Sequence, residues 1–197
     1  MTEIADIIII GGGMAGISAG AELAKDASVI VLESEQTIGY HSSGRTAAIF
    51  IRNYGNETLR ALNAVSESFF RTPDGVSSSS LLSERGQLIF AHETDLPDLE
   101  AYLKGAAGME ILTPAEAHAL VPALKSDLIV KAAYEKTAQD IDVDRMLQGY
   151  QRLLKSGGGQ VITSAPVHDI QYRAGTWHVE AGSQNYQAKI IINAAGA

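Results

Sequence analysis

The run from Asp6 to Glu33 constrains this chain more than any other feature. An apolar, β-branched stretch, Ile7 to Ile10, stops at Gly11-Gly12-Gly13-Met14-Ala15-Gly16. A small-residue stretch from Ile17 to Lys25 follows, and a second apolar run, Val29 to Leu32, ends in the carboxylate of Glu33. This order predicts strand, tight turn, helix, strand. Gly11 permits the sharp turn, Gly13 lets backbone N–H groups approach a pyrophosphate, and Gly16 lets the helix pack close to the strand. The helix N-terminus offers unpaired N–H groups and a partial positive charge to phosphates. Glu33 stands where a ribose diol would donate hydrogen bonds. The plainer alternative is a glycine turn in a ligand-free sheet, which requires no acid at position 33. The combined pattern points to a dinucleotide.

Composition removes other classes. With 197 residues the chain can bury a real core, and 46% hydrophobic with 19% charged residues reads as an ordinary globular protein. A formal net charge of -8, with no basic run, argues against a nucleic-acid surface. No cysteine is present, which excludes disulfides, thiolate metal sites and a cysteine nucleophile. Apolar runs are too short to span a membrane, and the N-terminus lacks a basic region, so no signal peptide is expected and a cytoplasmic location is the default.

Further along, Thr37 to Ala48 is rich in glycine, hydroxyls and backbone donors. It is either a surface loop or a segment lying against a ligand. Asn56 can cap a helix reaching Phe70, with an apolar stripe at Leu59, Leu62, Phe69 and Phe70. Ser77 to Ser80 reads as solvated linker. Gln87–Ala91 reads as a strand, Leu96 to Lys104 as a short helix, and Leu128 to Tyr134 as a strand-like run. Thr113-Pro114-Ala115-Glu116 carries a helix cap, a proline at the first helical position and a capping-box acid. Asp142 starts an amphipathic helix that presents Val143, Met146, Leu147, Tyr150, Leu153 and Leu154 on one face and stops at Gly157. After it come a strand at Gln160 to Thr163, a meander of three strands (Val167 to Tyr172, Thr176 to Glu180, Asn185 to Lys189) and a last strand, Ile190 to Asn193. A meander joined to a dinucleotide sheet favours FAD over NAD as the nucleotide.

These residues resemble the FAD-dependent amino-acid oxidoreductases of the D-amino-acid oxidase type, and among them the bacterial D-arginine dehydrogenase-like branch. The resemblance covers nearly the whole chain and rests on Ile9 to Ile17, Val31 to Glu33, Gly39 to Ala48, Asp140 to Asp142 and Asn193 to Ala197. It implies an α/β fold: a Rossmann-like FAD-binding sheet with β-meander, of the glutathione-reductase-like type, plus part of an α+β substrate cap. The implied division is 1–50 with 140–197 for FAD and 51–139 for the first part of the cap. Cofactor contacts implied by the resemblance are Gly11, Gly13, Met14, Ala15 and Gly16 at the pyrophosphate, and Leu32 and Glu33 at the adenosine ribose. Ser42, Ser43, Gly44, Arg45, Thr46, Ala47 and Ala48 would pass the pyrophosphate and flavin. Val167 would meet the adenine through its backbone, and Ala194, Ala195 and Gly196 would return the chain to the cofactor. Tyr54 matches a tyrosine near the substrate; the alternative is a packed cap residue. The arginine-selective branch carries a histidine at position 49 and a carboxylate at position 87, where this chain has Ile49 and Gln87. That removes the ion-pair partner of a long cationic side chain. Family members run to roughly twice this length, so the chain is expected to be an N-terminal half whose C-terminal partner region supplies the remaining cap.

The implied reaction is hydride transfer from the Cα–H of a small amine or amino acid to FAD, giving an imine and then a 2-oxo acid, with quinone or O2 as the electron acceptor. Because such a cofactor carries the hard step, no catalytic residue needs to be visible, and none is assigned. The five histidines (41, 92, 118, 168 and 178) have no metal-ligand spacing. His41 shares the flavin-side loop, while His168, His178 and Trp177 are most simply meander residues. Rival readings are an NAD(P)-dependent dehydrogenase, an FAD-dependent 2-hydroxy-acid dehydrogenase, and an FAD-binding portion inactive until a second polypeptide completes it.

Overall fold

The structure, a computed structural model, describes residues 2–196. In chain order it contains strand β1 (Thr2–Ile10), helix α1 (Met14–Leu23), strands β2 (Val29–Leu32) and β3 (Ile49–Phe50), and helix α2 (Glu57–Arg71). Strands β4 (Leu82–Glu84) and β5 (Gln87–Ala91), helix α3 (Leu96–Leu103), strand β6 (Met109–Leu112), helix α4 (Pro114–Leu120) and strands β7 (Lys131–Glu135) and β8 (Gln139–Ile141) follow. Helix α5 (Val143–Ser156) leads to strands β9 (Gln160–Ile162), β10 (Val167–Arg173), β11 (Thr176–Ala181) and β12 (Gln184–Asn193).

Two compact units emerge. One comprises the chain through Ala47, Pro73–Leu81 and the stretch from Asp142 on; the other comprises Ala48–Thr72 and Leu82–Ile141. The first holds a six-stranded sheet in the order β10-β11-β12-β1-β2-β9. Its central strands β12, β1, β2 and β9 run parallel, and β10 and β11 add antiparallel to β12. This is the α/β architecture that the βαβ pattern implied.

The core of this sheet follows from strand alternation. Ile7 and Ile9 of β1, with Val29 and Val31 of β2, pack against Ile17 and Ala21 of α1 and Leu147 and Leu154 of α5. Ile8, Ile30 and Leu32 face the other way, towards Val179, Tyr186 and Ala188. Gly20 allows the two helices to meet, since a side chain there would press on Leu154. Asp142 caps α5 by accepting from the Arg145 N–H at 2.9 Å, and the glycines after Ser156 end it.

Two expectations change here. The third meander strand and the last strand are one continuous strand, β12, because no turn residue interrupts Lys189-Ile190 and β1 pairs with it from Thr2 to Ile10. The serine run is solvated as expected, Ser78, Ser79 and Ser80 being exposed, but it is tethered and not free. Val76 and Leu81 are buried, Arg152 donates to the Val76 carbonyl at 3.1 Å, and Arg145 donates to Ser79 Oγ at 3.1 Å. These bonds tie 73–81 to α5 and explain why that segment belongs to the first unit and not to the 51–139 block.

The second unit contains two three-stranded sheets, β3-β8-β4 and β5-β7-β6. Helix α3 covers one side of the latter through Leu99 and Leu103, and α4 packs through Ala117. The capping box at α4 forms as its spelling implies, with Thr113 and Glu116 bonding reciprocally. Asn56 caps α2 by accepting from the Leu59 N–H at 3.0 Å. The apolar stripe of α2 does not form a core, however. Leu59, Leu62 and Val65 are exposed, and the buried residue is Glu67, clamped by Arg52 and Arg71.

Candidate functional site

A cleft of about 370 Å³ opens in the first unit where β1 and β2 end. Parallel α/β sheets bind ligands at this carboxyl edge. The turn and first residues of α1 contribute Gly11, Gly13, Met14 and Ala15; β2 contributes Leu32 and the following Glu33. Three further segments complete the wall: Gly39–Ser43, Ala165–Val167 and Ala194–Gly196.

The glycines have distinct mechanical duties. Gly11 has φ +110°, and a side chain there would collide with the carbonyl of Ala194, so the turn and the returning chain can touch only at a glycine. A side chain at Gly16 would strike the carbonyl oxygen of Gly11, which fixes how tightly α1 folds back on the turn. Gly13 differs: a side chain there would meet only Ser43 Oγ, at 3.3 Å. The space beside Gly13 is therefore left for something other than the protein's own backbone.

Glu33 is nearly fully buried, at 7% exposure. Its Oε2 accepts from the Gly12 N–H at 2.7 Å, and its Oε1 accepts from the Glu35 N–H at 2.9 Å and the Ser34 hydroxyl at 3.1 Å. The carboxylate thus braces the glycine turn and is held at the cleft wall with lone-pair capacity to spare. Around it, the Glu33 carbonyl accepts from the Ala165 N–H and the Glu35 carbonyl from the Ser164 N–H, both at 2.8 Å. These bonds seat the segment that carries Pro166 and Val167.

Helix α1 starts at Gly13, which has no side chain to cap it. A remote hydroxyl does the work instead: Ser43 Oγ accepts from the Met14 N–H at 2.9 Å. The 39–43 loop is thereby fastened to the helix N-terminus, where backbone donors and the helix dipole favour an anion. Along the loop, Arg45 lies 4.7 Å from the centre of the Tyr40 ring, and His41 Nε2 lies 3.0 Å from Glu35 Oε1.

Of the residues expected at a cofactor, Gly11, Gly13, Met14, Ala15, Leu32, Glu33, Ser42, Ser43, Val167, Ala194, Ala195 and Gly196 line this one cleft. Gly16 stands behind it as a packing position. Gly44, Arg45, Thr46, Ala47 and Ala48 are outside the lining, and Arg45, Thr46 and Ala47 are exposed. Tyr54 and Gln87 belong to the second unit; Tyr54 is 63% exposed, and Gln87 opens β5 opposite Glu135. Sequence reasoning missed Ile10, Ser34, Gly39, Tyr40, His41, Ala165 and Pro166. Tyr40 and His41 were within reach, since they precede Ser42 in the same loop. Ala165 and Pro166 carry no chemical signal and enter through backbone bonds alone.

The cleft suits the ADP half of a dinucleotide: an acid where a ribose would sit, a bare glycine and a helix N-terminus where phosphates would sit. Comparison with known proteins agrees. The sequence pattern of one family, "FAD dependent oxidoreductase" (DAO), matches residues 6–197. Mitochondrial dimethylglycine dehydrogenase of Rattus norvegicus is 26% identical over 98% of this chain and 23% of its own length. Monomeric sarcosine oxidase of Arthrobacter sp. (strain TE1826) is 20% identical over 98% of this chain and 51% of its own length. The chain therefore spans about half, or less, of these relatives. Among solved structures, L-α-glycerophosphate oxidase from Mycoplasma pneumoniae with FAD bound superposes with a TM-score of 0.83 at 19% identity, over 99% of this chain and 55% of that one. The chain belongs to the DAO family of FAD-dependent oxidoreductases, with FAD as its cofactor.

Proposed function

We propose that this chain forms the cofactor-holding part of an oxidoreductase that takes electrons from the C–N unit of a small amine or amino acid, of the D-amino-acid dehydrogenase or oxidase type. The observation that carries the reading is the cleft in which Glu33, Gly13 and the Ser43-capped start of α1 converge. Glu33 would accept from the ribose, and the N–H groups at Gly13 to Ala15 would face the pyrophosphate. Val167 would border the adenine, and Ala194 to Gly196 would close over the phosphates. The segment from Gly44 to Ala48 would continue towards the flavin. Bound FAD would supply two-electron acceptance, taking the substrate's α-hydrogen as hydride; from a primary amino acid the imine would then hydrolyse to a 2-oxo acid and ammonia, and from an N-substituted one the free amine would leave in place of ammonia. The chain's own residues bind and orient.

Support for an amine donor comes from the relatives: dimethylglycine and sarcosine are both secondary or tertiary amines by name. Tyr54 and Gln87 would contribute to substrate binding, and Ile49 and Gln87 speak against an arginine-selective branch. A cytoplasmic location is part of the same proposal. A second reading, FAD binding without turnover until another segment completes the cap, is favoured by the 51% coverage of sarcosine oxidase. The test is turnover of the FAD-loaded chain with D-amino acids, sarcosine and 2-hydroxy acids, using an artificial electron acceptor. Amine turnover is expected under the first reading; flavin binding with no turnover on any donor selects the second, and preference for 2-hydroxy acids overturns the amine assignment.

A further inference from the structure

The six-stranded sheet of the first unit ends on β10, and that edge is long. β10 has seven residues, against two to five in the other edge strands, β9, β3, β4, β5 and β6. An edge strand turns the N–H and C=O groups of alternate residues outward, and proteins blunt such an edge with lysine, proline, a bulge or shortness. β10 contains neither lysine nor proline. Its bulge sits at the start, between Val167 and Asp169, so Asp169 to Arg173 keep a regular register with β11.

The side chains of this run are uncompensated on both faces. Asp169 is the register partner of Glu180, which sets two carboxylates side by side, an unfavourable cross-strand pair. Gln171 donates to Asp169 Oδ2 at 2.5 Å and leaves Oδ1 free. Among the described residues no ion pair involves Asp169, Glu180 or the exposed Arg173. On the opposite face Ile170 is 42% and Tyr172 60% exposed, and the rings of Tyr172 and Trp177 lie 5.0 Å apart. Residues paired across strands share a face, which limits how β10 can meet a copy of itself. A two-fold axis through Gln171 sets Asp169 against Arg173 of the second copy, and Arg173 against its Asp169. The same axis sets Ile170 against Tyr172 in both directions on the other face. Centring on Ile170 would set Arg173 against Val167 at the bulge, and centring on Tyr172 would set Asp169 against Gly175, past the end of the strand. Of these registers, the one through Gln171 pairs both charges.

We infer that β10 is a self-association edge: a second copy of this chain pairs with it antiparallel about Gln171, and the two six-stranded sheets become one. Arg173 of each copy then lies beside the Asp169–Glu180 acid pair of the other, and the Ile170–Tyr172 contacts cover exposed apolar surface. So short a contact falls below the roughly 1,200–2,000 Å² of a standard interface, so association is expected in the micromolar range and not the nanomolar. The edge lies wholly in the first unit, and its pairing does not depend on the flavin reading.

The test is sedimentation velocity of the purified chain over a micromolar to sub-millimolar concentration series at low salt, with thermal melting as the check on folding. The wild type is expected to pass from monomer to dimer. Asp169→Arg and Arg173→Asp each oppose like charges at both ends of the paired run, and each should weaken dimerisation roughly tenfold or more. An equimolar mixture of these two variants opposes unlike charges at both ends and should dimerise about as well as wild type. A wild type that stays monomeric, a single variant that dimerises as tightly as wild type, or a mixture no more associated than its components overturns the inference. If either charge variant does not fold, Tyr172→Lys decides, and association as tight as wild type overturns it. Flavin content measured on the same samples keeps a failure here separate from a failure of the cofactor assignment.

Discussion

Replacing Glu33 separates two duties that the structure gives to one carboxylate. Glu33→Ala removes the acceptor for the Gly12 N–H at 2.7 Å, a buried bond, and for the Glu35 N–H and the Ser34 hydroxyl at 2.9 and 3.1 Å. Leaving the buried Gly12 N–H unpaired costs about 1–3 kcal/mol, whereas the partners near solvent lose roughly 0.5–1.5 kcal/mol each because water can replace the acid. The sum, about 2–6 kcal/mol, is a large part of a typical domain stability of about 5–15 kcal/mol. Glu33→Gln keeps one carbonyl acceptor and should lose about half as much. Urea unfolding of the flavin-free chain reads this first duty. The second duty concerns the ribose: losing bonds to an ionised acceptor should weaken FAD binding roughly 10- to 100-fold, measured by quenching of flavin fluorescence. A flavin-free Glu33→Ala protein as stable as wild type within about 0.5 kcal/mol would refute the bracing role. Unchanged FAD affinity would refute the ribose role.

Other substitutions probe separate parts. A Cβ at Gly13 would meet only Ser43 Oγ in the chain's own structure, so Gly13→Val is expected to fold and yet lose FAD, seen as a normal melting curve with no bound flavin. Leu154→Ala, at a fully buried position between α5 and α1, should cost about 2–5 kcal/mol in urea unfolding; a smaller loss would mean that the two helices are not packed as described. Burial pushes the Glu67 carboxyl up, but hydrogen bonds and charge from Arg71 and Arg52 outweigh it and hold the group below its ordinary 4.5. A lowered acid contributes stability in full above its unfolded value and loses it as pH falls through the folded one. Wild type should therefore lose melting temperature on acidification below about pH 4.5 more steeply than Glu67→Gln, and parallel profiles would contradict the clamp.

Much of the first unit was legible because each local signal agreed with the global one. The alternating isoleucines of β1 serve both faces of a sheet, the glycines stop the strand where the helix must start, and Asp142 caps where its spelling says it should, as Thr113 does in the second unit. Glu33 was found by position, but its grip on Gly12 was not, since a bond across 21 residues leaves no local trace. Ser43 is similar: its capping of α1 comes from a loop 29 residues away. The serine run is solvated as its composition implies, but its tethering by arginines on α5 was not legible, and the α2 stripe misled because helical periodicity says which residues align but not what covers them. That Gln87 faces Glu135 left no local trace either, since strand register brings together residues 48 positions apart, as their numbers 87 and 135 show.

The most direct test of the account is titration of the flavin-free chain with FAD, read by flavin fluorescence, with Gly13→Val and Glu33→Ala alongside and NAD+ as competitor. Saturable binding of one FAD per chain is expected, undisturbed by NAD+, weakened in Glu33→Ala and abolished in Gly13→Val. Saturable binding of equal strength in wild type and Gly13→Val, or no saturable binding of FAD at all, would contradict it.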